Sequence, residues 1–158
     1  MKKKFFLILS ILLISLAYAD SSAPITSARG NLTVNISGIV GDQGVIRFAL
    51  FNSKESYDYS DKYNVMPPFY KTTTNQISSD GTATIVVQNI PYGEYAFKLF
   101  HDKDNSGKLP ETWSGTPKEE VGFSNNADAK NGKPRYFQVK FKFDANHTVQ
   151  DIKMQSFK

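Results

Sequence analysis

The residues best suited to chemistry lie in the stretch HDKDNSG, residues 101–107, where oxygen-bearing side chains recur at every second position. These residues are Asp102, Asp104 and Ser106. Gly107 follows at the point where a tight loop turns sharply. Calcium takes about six to eight oxygen ligands, and such a loop supplies them from alternate side chains and a backbone carbonyl, here that of Lys108. The spacing predicts a Ca²⁺ loop, with a sharp polar turn as the alternative because Asp, Asn, Ser and Gly also favour turns.

Further oxygen ligands have to come from outside this loop. The twelfth position counted from Asp102 is Trp113, where a helical calcium hand has a bidentate glutamate, and no helical pattern flanks the loop. The loop is therefore not an EF-hand. The acidic candidates are Glu111, Glu119, Glu120 and Asp128, of which Glu119 is the predicted ligand. His101 is expected to brace the loop, with ordinary packing as the alternative, and two histidines are too few for a multi-histidine metal site.

Catalysis has little support in the motifs of the chain. There is no cysteine, and no serine lies in a G-x-S-x-G sequence. A small hydrolase that uses loop carboxylates is kept as the alternative, because the separation of carboxylates in space cannot be read from a sequence. The loop aromatic rings suit binding better, although they also suit capping of the domain ends. The predicted ligand-binding residues are Tyr63, Trp113, Phe123 and Asn125.

The first nineteen residues are typical of a secretory signal peptide. Lysines at 2–4 precede an apolar run at 5–16, and the sequence AYA at 17–19 suits a cleavage site. The apolar run is too short for a spanning helix, which takes about 20 residues. We expect cleavage after residue 19, a flexible segment at 20–30, a single domain at 31–158, and no membrane anchor in the periplasmic or secreted product.

The composition of the mature chain excludes some classes of partner. Removal of the leader lysines leaves 16 basic and 15 acidic residues, so no basic footprint for nucleic acid is expected. The absence of cysteine excludes disulfides and also the usual bacterial lipid anchor. The domain must therefore be held by its core, with or without a bound ion.

Apolar residues alternate with polar ones in several short segments, the period that half-buries a strand. Leu32, Val34 and Ile36 begin the pattern, and Tyr95, Phe97 and Leu99 repeat it. Residues 136–143 are also predicted to be a strand, with inward apolar side chains at the odd positions, Phe137, Val139, Phe141 and Phe143. The last strand changes parity between Val149 and Ile152, which predicts a bulge. About seven strands without an amphipathic helix indicate an all-β protein, an antiparallel β-sandwich.

The segment 91–126, PYGEYAFKLFHDKDNSGKLPETWSGTPKEEVGFSNN, resembles the DUF2141 family of exported bacterial domains. The shared pattern is a proline–glycine turn, a YA strand, HD before an Asn/Asp–Gly loop, and the spaced residues G-P-E-G-F-S-N-N. The resemblance implies a β-sandwich akin to transthyretin-like and carboxypeptidase-regulatory-like domains, with no established activity. Pro110 stands where an acidic residue is common, which removes one loop ligand.

These observations predict an exported, non-catalytic β-sandwich module, stiffened by Ca²⁺, that binds a carbohydrate, a peptide or an envelope component. The alternatives are the small extracytoplasmic hydrolase and a purely structural envelope component.

Overall fold

The computed structural model describes residues 28–59 and 68–157, so the predicted signal peptide and Tyr63 lie outside the described residues. The elements in chain order are β1 (Arg29–Ser37), β2 (Val45–Phe51), α1 (Lys54–Tyr59), β3 (Tyr70–Thr74), β4 (Ala83–Pro91), β5 (Gly93–Asp102), β6 (Val121–Phe123), a 3₁₀ turn (Ser124–Asn126), α2 (Tyr136–Val139), β7 (Phe141–Phe143) and β8 (His147–Lys153). The strands dominate, as the alternating sequence predicts.

Two sheets pack face to face, which confirms the predicted all-β sandwich. The smaller sheet has the order β4-β1-β8, and the larger has the order β3-β2-β5-β6, with β7 pairing with the beginning of β5. All pairs are antiparallel except β1 with β8, which run parallel. The smaller sheet is therefore mixed, because β8 runs in the same direction as its neighbour β1.

The larger sheet is buried on both faces. Phe97 and Leu99 of β5 point into the main core between the sheets, as alternation predicts. Ala96 lies on the opposite face and joins a second cluster of buried residues. That cluster contains Phe51, Tyr57, Ala96, Val121, Phe123, Ala129 and Val139. The chain after β5 therefore folds over the outer face of the sheet, where Val121, Ala129 and Val139 are buried.

The predicted strand at 136–143 is wrong over its first half, where α2 forms instead. Phe137 is 65 % exposed, and Val139 is buried in the second cluster. Phe141 packs against the main core, and Phe143 lies within it. The Lys140 N–H donates to the Tyr136 carbonyl at 2.9 Å, which closes a helical turn. The apolar alternation is present in the sequence, but Val139 packs in the second cluster whereas Phe141 and Phe143 pack with the main core.

The predicted bulge in β8 is also wrong. The parallel register runs without a shift from Asn31 opposite His147 to Ser37 opposite Lys153. Val149 is an exposed apolar residue on the outer face, whereas Ile152 is buried. The register irregularity lies instead in the β1–β4 pair, between Gly30 and Leu32.

Candidate functional site: the Asp102 loop and the Trp113 hairpin

The Asp102 loop, residues 101–108, leaves the end of β5 beside the start of β2. Val45 pairs with Asp102 in the sheet, so the loop begins while its first residues are still hydrogen-bonded to a neighbouring strand. The turn before β2 comes very close to this point, because a Cβ atom on Gly44 would lie 2.3 Å from the Asp102 carbonyl oxygen. Glycine at this position lets the two segments meet.

Asp102 is fully buried and organises the loop. Its Oδ1 accepts the Ser106 N–H at 3.0 Å, and its Oδ2 accepts the Gly107 N–H at 2.8 Å. Oδ2 also accepts a hydrogen bond from Nε of Arg47, whose Nη2 donates to Asn105 Oδ1 at 2.9 Å. Burial favours the neutral acid, but the hydrogen bonds from Arg47 and Gly107 outweigh it and lower the pKa of Asp102 below its ordinary value.

The four oxygens predicted from the sequence converge around Ser106. Its hydroxyl lies 3.5 Å from Asp102 Oδ1 and 3.4 Å from the Lys108 carbonyl oxygen. Its N–H lies 3.1 Å from Asp104 Oδ1. Positive φ angles of 55° at Asn105 and 80° at Gly107 curl the backbone of the loop, and Asp102 Oδ1 and Asp104 Oδ1 both lie within hydrogen-bonding distance of the Ser106 N–H. Arg47 and the Gly107 N–H donate to Asp102 Oδ2, whereas Asp102 Oδ1 accepts the Ser106 N–H.

Glu119 lies beside this loop and is only 8 % exposed. Its Oε1 accepts the Lys103 N–H at 3.1 Å, whereas its buried Oε2 has no hydrogen-bond partner. In residues 28–59 and 68–157 no three His, Asp or Glu side chains come together as a metal site. Calcium would therefore rely on two carboxylates together with hydroxyl and carbonyl oxygens, a set that hard cations accept.

His101 contacts the loop through Glu120, a residue that sequence reasoning treated only as a reserve ligand. The imidazole Nδ1 lies 3.0 Å from Glu120 Oε2, and Nε2 lies 2.7 Å from the Gln43 carbonyl oxygen. Lys103 Nζ donates to Glu120 Oε1 at 3.0 Å. Burial would raise the pKa of Glu120, but the hydrogen bonds from Lys103 and His101 outweigh it and lower this pKa. His101 therefore contacts the Gln43 carbonyl and the Glu120 carboxylate, and Glu120 in turn contacts Lys103.

Trp113 lies at the tip of a projecting hairpin, residues 110–118, and is 100 % exposed. The Thr112 N–H donates to the Thr116 carbonyl at 2.8 Å, and the Gly115 N–H donates to the Thr112 carbonyl at 2.9 Å. At the base, the Lys118 N–H donates to the Pro110 carbonyl at 2.8 Å. The hairpin is thus a hydrogen-bonded support that holds an indole ring in solvent.

The hydroxyl groups of the hairpin line the same turn. Thr112 Oγ1 lies 2.9 Å from Ser114 Oγ, which lies 3.4 Å from Thr116 Oγ1. Thr112 Oγ1 also accepts the Thr116 N–H at 3.0 Å. An aromatic face beside fixed hydroxyl groups can contact a ligand through both apolar and polar surfaces.

The motif GFSNN, residues 122–126, has a structural role. Phe123 is 6 % exposed within the second cluster, so the structure corrects its prediction as a ligand contact. Ser124 is fully buried, where its hydroxyl accepts the Phe97 N–H at 2.9 Å and donates to the Val139 carbonyl at 2.6 Å. The side-chain amide of Asn125 donates to the carbonyls of Gln138 and Lys140 at 3.2 and 2.9 Å. The motif therefore fastens the covering layer to the sheet.

The other loop aromatics divide between packing and exposure. Tyr57 is fully buried and donates its hydroxyl to the Pro134 carbonyl at 2.9 Å. Tyr59, Phe69 and Tyr70 are exposed. Arg47, which contacts Asp102, is the site residue that the sequence did not predict.

The feature that could have indicated it is a single positively charged residue in the otherwise apolar strand VIRFALF.

Residues 34–151 match the family described as DUF2141, an uncharacterized protein conserved in bacteria. The chain belongs to the DUF2141 family. The match covers both the Asp102 loop and the Trp113 hairpin, so this member of DUF2141 carries both features within the family domain. No curated protein and no solved structure is similar enough to match it. None of the helices within residues 28–59 and 68–157 has the length and apolar character needed to cross a membrane.

Proposed function

We propose that this DUF2141 protein is an exported, non-catalytic binding module that contacts a carbohydrate, peptide or envelope partner through the Trp113 hairpin. The observation that carries the proposal is the full exposure of Trp113 on a hydrogen-bonded support. Tryptophan is enriched among the few residues that carry most of the binding energy at interfaces. The Thr112, Ser114 and Thr116 hydroxyls supply polar contacts beside the ring.

Calcium at the Asp102 loop is the second part of the proposal. Leu109 links the loop to the hairpin and packs against the second core cluster. An ion held by Asp102, Asp104, Ser106 and the Lys108 carbonyl would stiffen the segment from which the hairpin projects. Such stiffening lowers the entropy that a partner must remove on binding. The convergence of these four oxygens around Ser106 supports this part.

Trp113 is the only tryptophan in the chain, so its fluorescence reports on the proposed site directly. We expect isolated envelope material or its glycan fraction to shift the emission and to protect the ring from a soluble quencher. Trp113→Ala should abolish retention on the same material, because removal of a central aromatic anchor costs about 2 kcal/mol or more, a loss of roughly thirtyfold.

Phe69→Ala is the matched control, because Phe69 is also an exposed ring but lies on another part of the sandwich. It should leave retention unchanged. Equal retention of the wild type and Trp113→Ala would contradict the proposal and favour a purely structural envelope component. The hydrolase alternative predicts turnover that Glu119→Gln removes, and we expect no turnover on glycoside, ester or peptide panels.

A further inference from the structure

A second surface, distant from the Trp113 hairpin, has chemistry that the proposed function does not use. An open cleft of about 350 Å³ lies where β1 begins, β4 ends and the β7–β8 turn passes. Its lining residues are Arg29, Gly30, Asn31, Gln88, Asn89 and Asn146. β5 begins beside this cleft and ends at the Asp102 loop, so the two sites lie at opposite ends of the sandwich.

Two of the lining amides have their carbonyl oxygens already occupied. Asn31 Oδ1 accepts the Asn89 backbone N–H at 3.0 Å, and Asn146 Oδ1 accepts the Tyr92 hydroxyl at 2.7 Å. A backbone N–H can only donate, so the orientation of the Asn31 amide follows from its partner. The groups that remain for a ligand are the amide N–H donors of both side chains.

Arg29 adds a fixed cation to these donors. Its Nη1 donates to the Asn89 carbonyl at 2.9 Å, which holds the guanidinium at the cleft and leaves its other N–H groups. Among the described residues, none of those that line the cleft is acidic. Asp144, two positions before Asn146, is paired with Lys142 at 2.6 Å. The lining therefore carries one positive charge and an excess of donors.

Gly30 brings the donors together. A Cβ atom at this position would lie 2.3 Å from the Ala145 carbonyl oxygen and 2.9 Å from that of Asn146. Without a side chain, β1 approaches the β7–β8 turn closely enough for the Asn31 N–H to donate to the Asn146 carbonyl at 2.9 Å. The Asn31 and Asn146 side chains are thus held on one rim by the backbone contact.

We propose that this cleft binds an oxyanion, a carboxylate or phosphate group on a small ligand. The charged oxygens of a carboxylate or phosphate group accept hydrogen bonds, and they therefore complement fixed amide donors and a guanidinium. A neutral sugar has no charge to pair with the guanidinium, and the Asn31 and Asn146 carbonyl oxygens already accept one hydrogen bond each. The Arg29 guanidinium supplies the opposite charge.

The test follows the side-chain amide signals of the full chain by NMR during titration with inorganic phosphate, glucuronate and glucose. Ionic strength is matched with sodium chloride in every arm, because screening changes any charge interaction. We expect saturable shifts of the Asn31 and Asn146 amides with phosphate or glucuronate, and none with glucose. A stronger response to one anion identifies whether a phosphate or a carboxylate is preferred.

Two variants examine the donors separately. Arg29→Gln removes the charge, and Asn146→Asp replaces an amide donor by an acceptor while Tyr92 can still donate to it. Each should weaken anion binding about tenfold or more, since charged hydrogen bonds contribute roughly 1.5 to 3 kcal/mol. Arg29→Lys should retain part of the affinity. Arg135→Gln, which removes another exposed arginine far along the chain, should retain all of it.

Equal shifts with glucose, the absence of saturation with both anions, or an equal loss in Arg135→Gln would overturn the oxyanion site. A melting temperature equal to that of the wild type shows that a variant is folded. This outcome is separate from that of the Trp113 experiment, because the fluorescent ring lies at the other end of the molecule.

Discussion

At the scale of single residues, Arg47 decides whether the Asp102 loop is stable without an ion. Asp102 is buried and ionised, and an unpaired buried carboxylate would be costly. Arg47 contacts it from the neighbouring strand and also reaches Asn105 in the middle of the loop. The protein thus supplies one cation of its own, which donates to Oδ2 of Asp102.

Replacement of Arg47 by Met should destabilise the domain at neutral pH by on the order of 2 to 3 kcal/mol, because Asp102 keeps its burial and loses its partner. The pKa of Asp102 is lowered in the folded state, so its contribution is present above its unfolded pKa of about 4 and is lost as the pH falls through the lower folded value. The pKa of Glu120 is also lowered in the folded state, so its protonation at low pH reduces the free energy of unfolding as well. Urea unfolding at pH 7 and at pH 3 measures both effects.

We expect the wild type to lose more stability on acidification than Arg47→Met, whose Asp102 no longer has this favourable interaction. Lys54→Met is the control, because the Lys54–Asp58 pair is a surface pair within one helix and should contribute little. A wild type and Arg47→Met that lose the same stability between the two pH values would contradict the role given to Arg47.

At the scale of elements, α2 shows how a covering segment takes its conformation from the layer below. The Ser124 hydroxyl donates to the Val139 carbonyl, and the Asn125 side-chain amide donates to the carbonyls of Gln138 and Lys140. A regular strand would have paired these carbonyls with its neighbours. With these carbonyls occupied, the backbone forms one helical turn and places Val139 in the second cluster. Phe137 is left on the outer surface.

Val139→Ala should therefore cost about 2 kcal/mol, from the lost apolar burial and the cavity that remains. Phe137→Ala, although it removes a larger side chain, should change the free energy of unfolding by less than about 0.5 kcal/mol. Thermal or urea unfolding of the two variants measures the difference. If residues 136–143 formed the predicted strand, Phe137 and Val139 would both face the core. Phe137→Ala would then lower the free energy of unfolding at least as much as Val139→Ala.

The Asp102 loop is the second element with a testable property. If the loop holds calcium in the folded state alone, calcium at 100-fold above Kd stabilises the domain by about 2.7 kcal/mol. This corresponds to a rise in melting temperature of roughly 5 to 10 °C for a domain of this size. Asp104→Asn should remove the response. An asparagine Oδ1 at this position can still accept the Ser106 N–H, so the metal-free fold should change little.

Asp80→Asn is the matched control, because Asp80 is an exposed turn aspartate that bonds the neighbouring Thr82 hydroxyl at 2.7 Å. It should keep the full calcium response. Protein stripped of metal that melts identically with millimolar calcium and with a chelator would leave the loop as a polar turn closed by Arg47.

At the scale of the whole molecule, the larger sheet lies between two apolar clusters, and its two ends carry different chemistry. One end bears the Asp102 loop and the exposed indole ring, and the other bears the amide cleft. A rigid sandwich between them suits a module that holds two ligands apart. Export would place this module where envelope glycans and acidic ligands are present.

Export predicts that the mature chain begins at Asp20 and is found in a soluble extracytoplasmic fraction. The reason is the basic start, the short apolar run and the AYA sequence of the leader. N-terminal sequencing of the protein from fractionated cells measures this directly. An intact Met1 in the membrane pellet would contradict the prediction.

The local pattern was sufficient for the sandwich and for the oxygen-bearing loop. Alternation at Leu32, Val34 and Ile36 predicted a half-buried strand, because neighbouring side chains in a strand must face opposite sides. The spacing of Asp102, Asp104 and Ser106 predicted either a calcium loop or a sharp polar turn, and the hydrogen bonds among these residues arise because all three lie on one short stretch of backbone. Both properties depend on residues close together in sequence.

Contacts across the fold decided the rest. Arg47 meets Asp102 through the pairing of β2 with β5, and the amide cleft unites segments near positions 30, 89 and 146. The period of two at 136–143 could not reveal that a second core covers the sheet and that Ser124 occupies the carbonyls a strand needs. A periodic sequence specifies which residues share a face, but the partner of that face depends on chain segments tens of residues away.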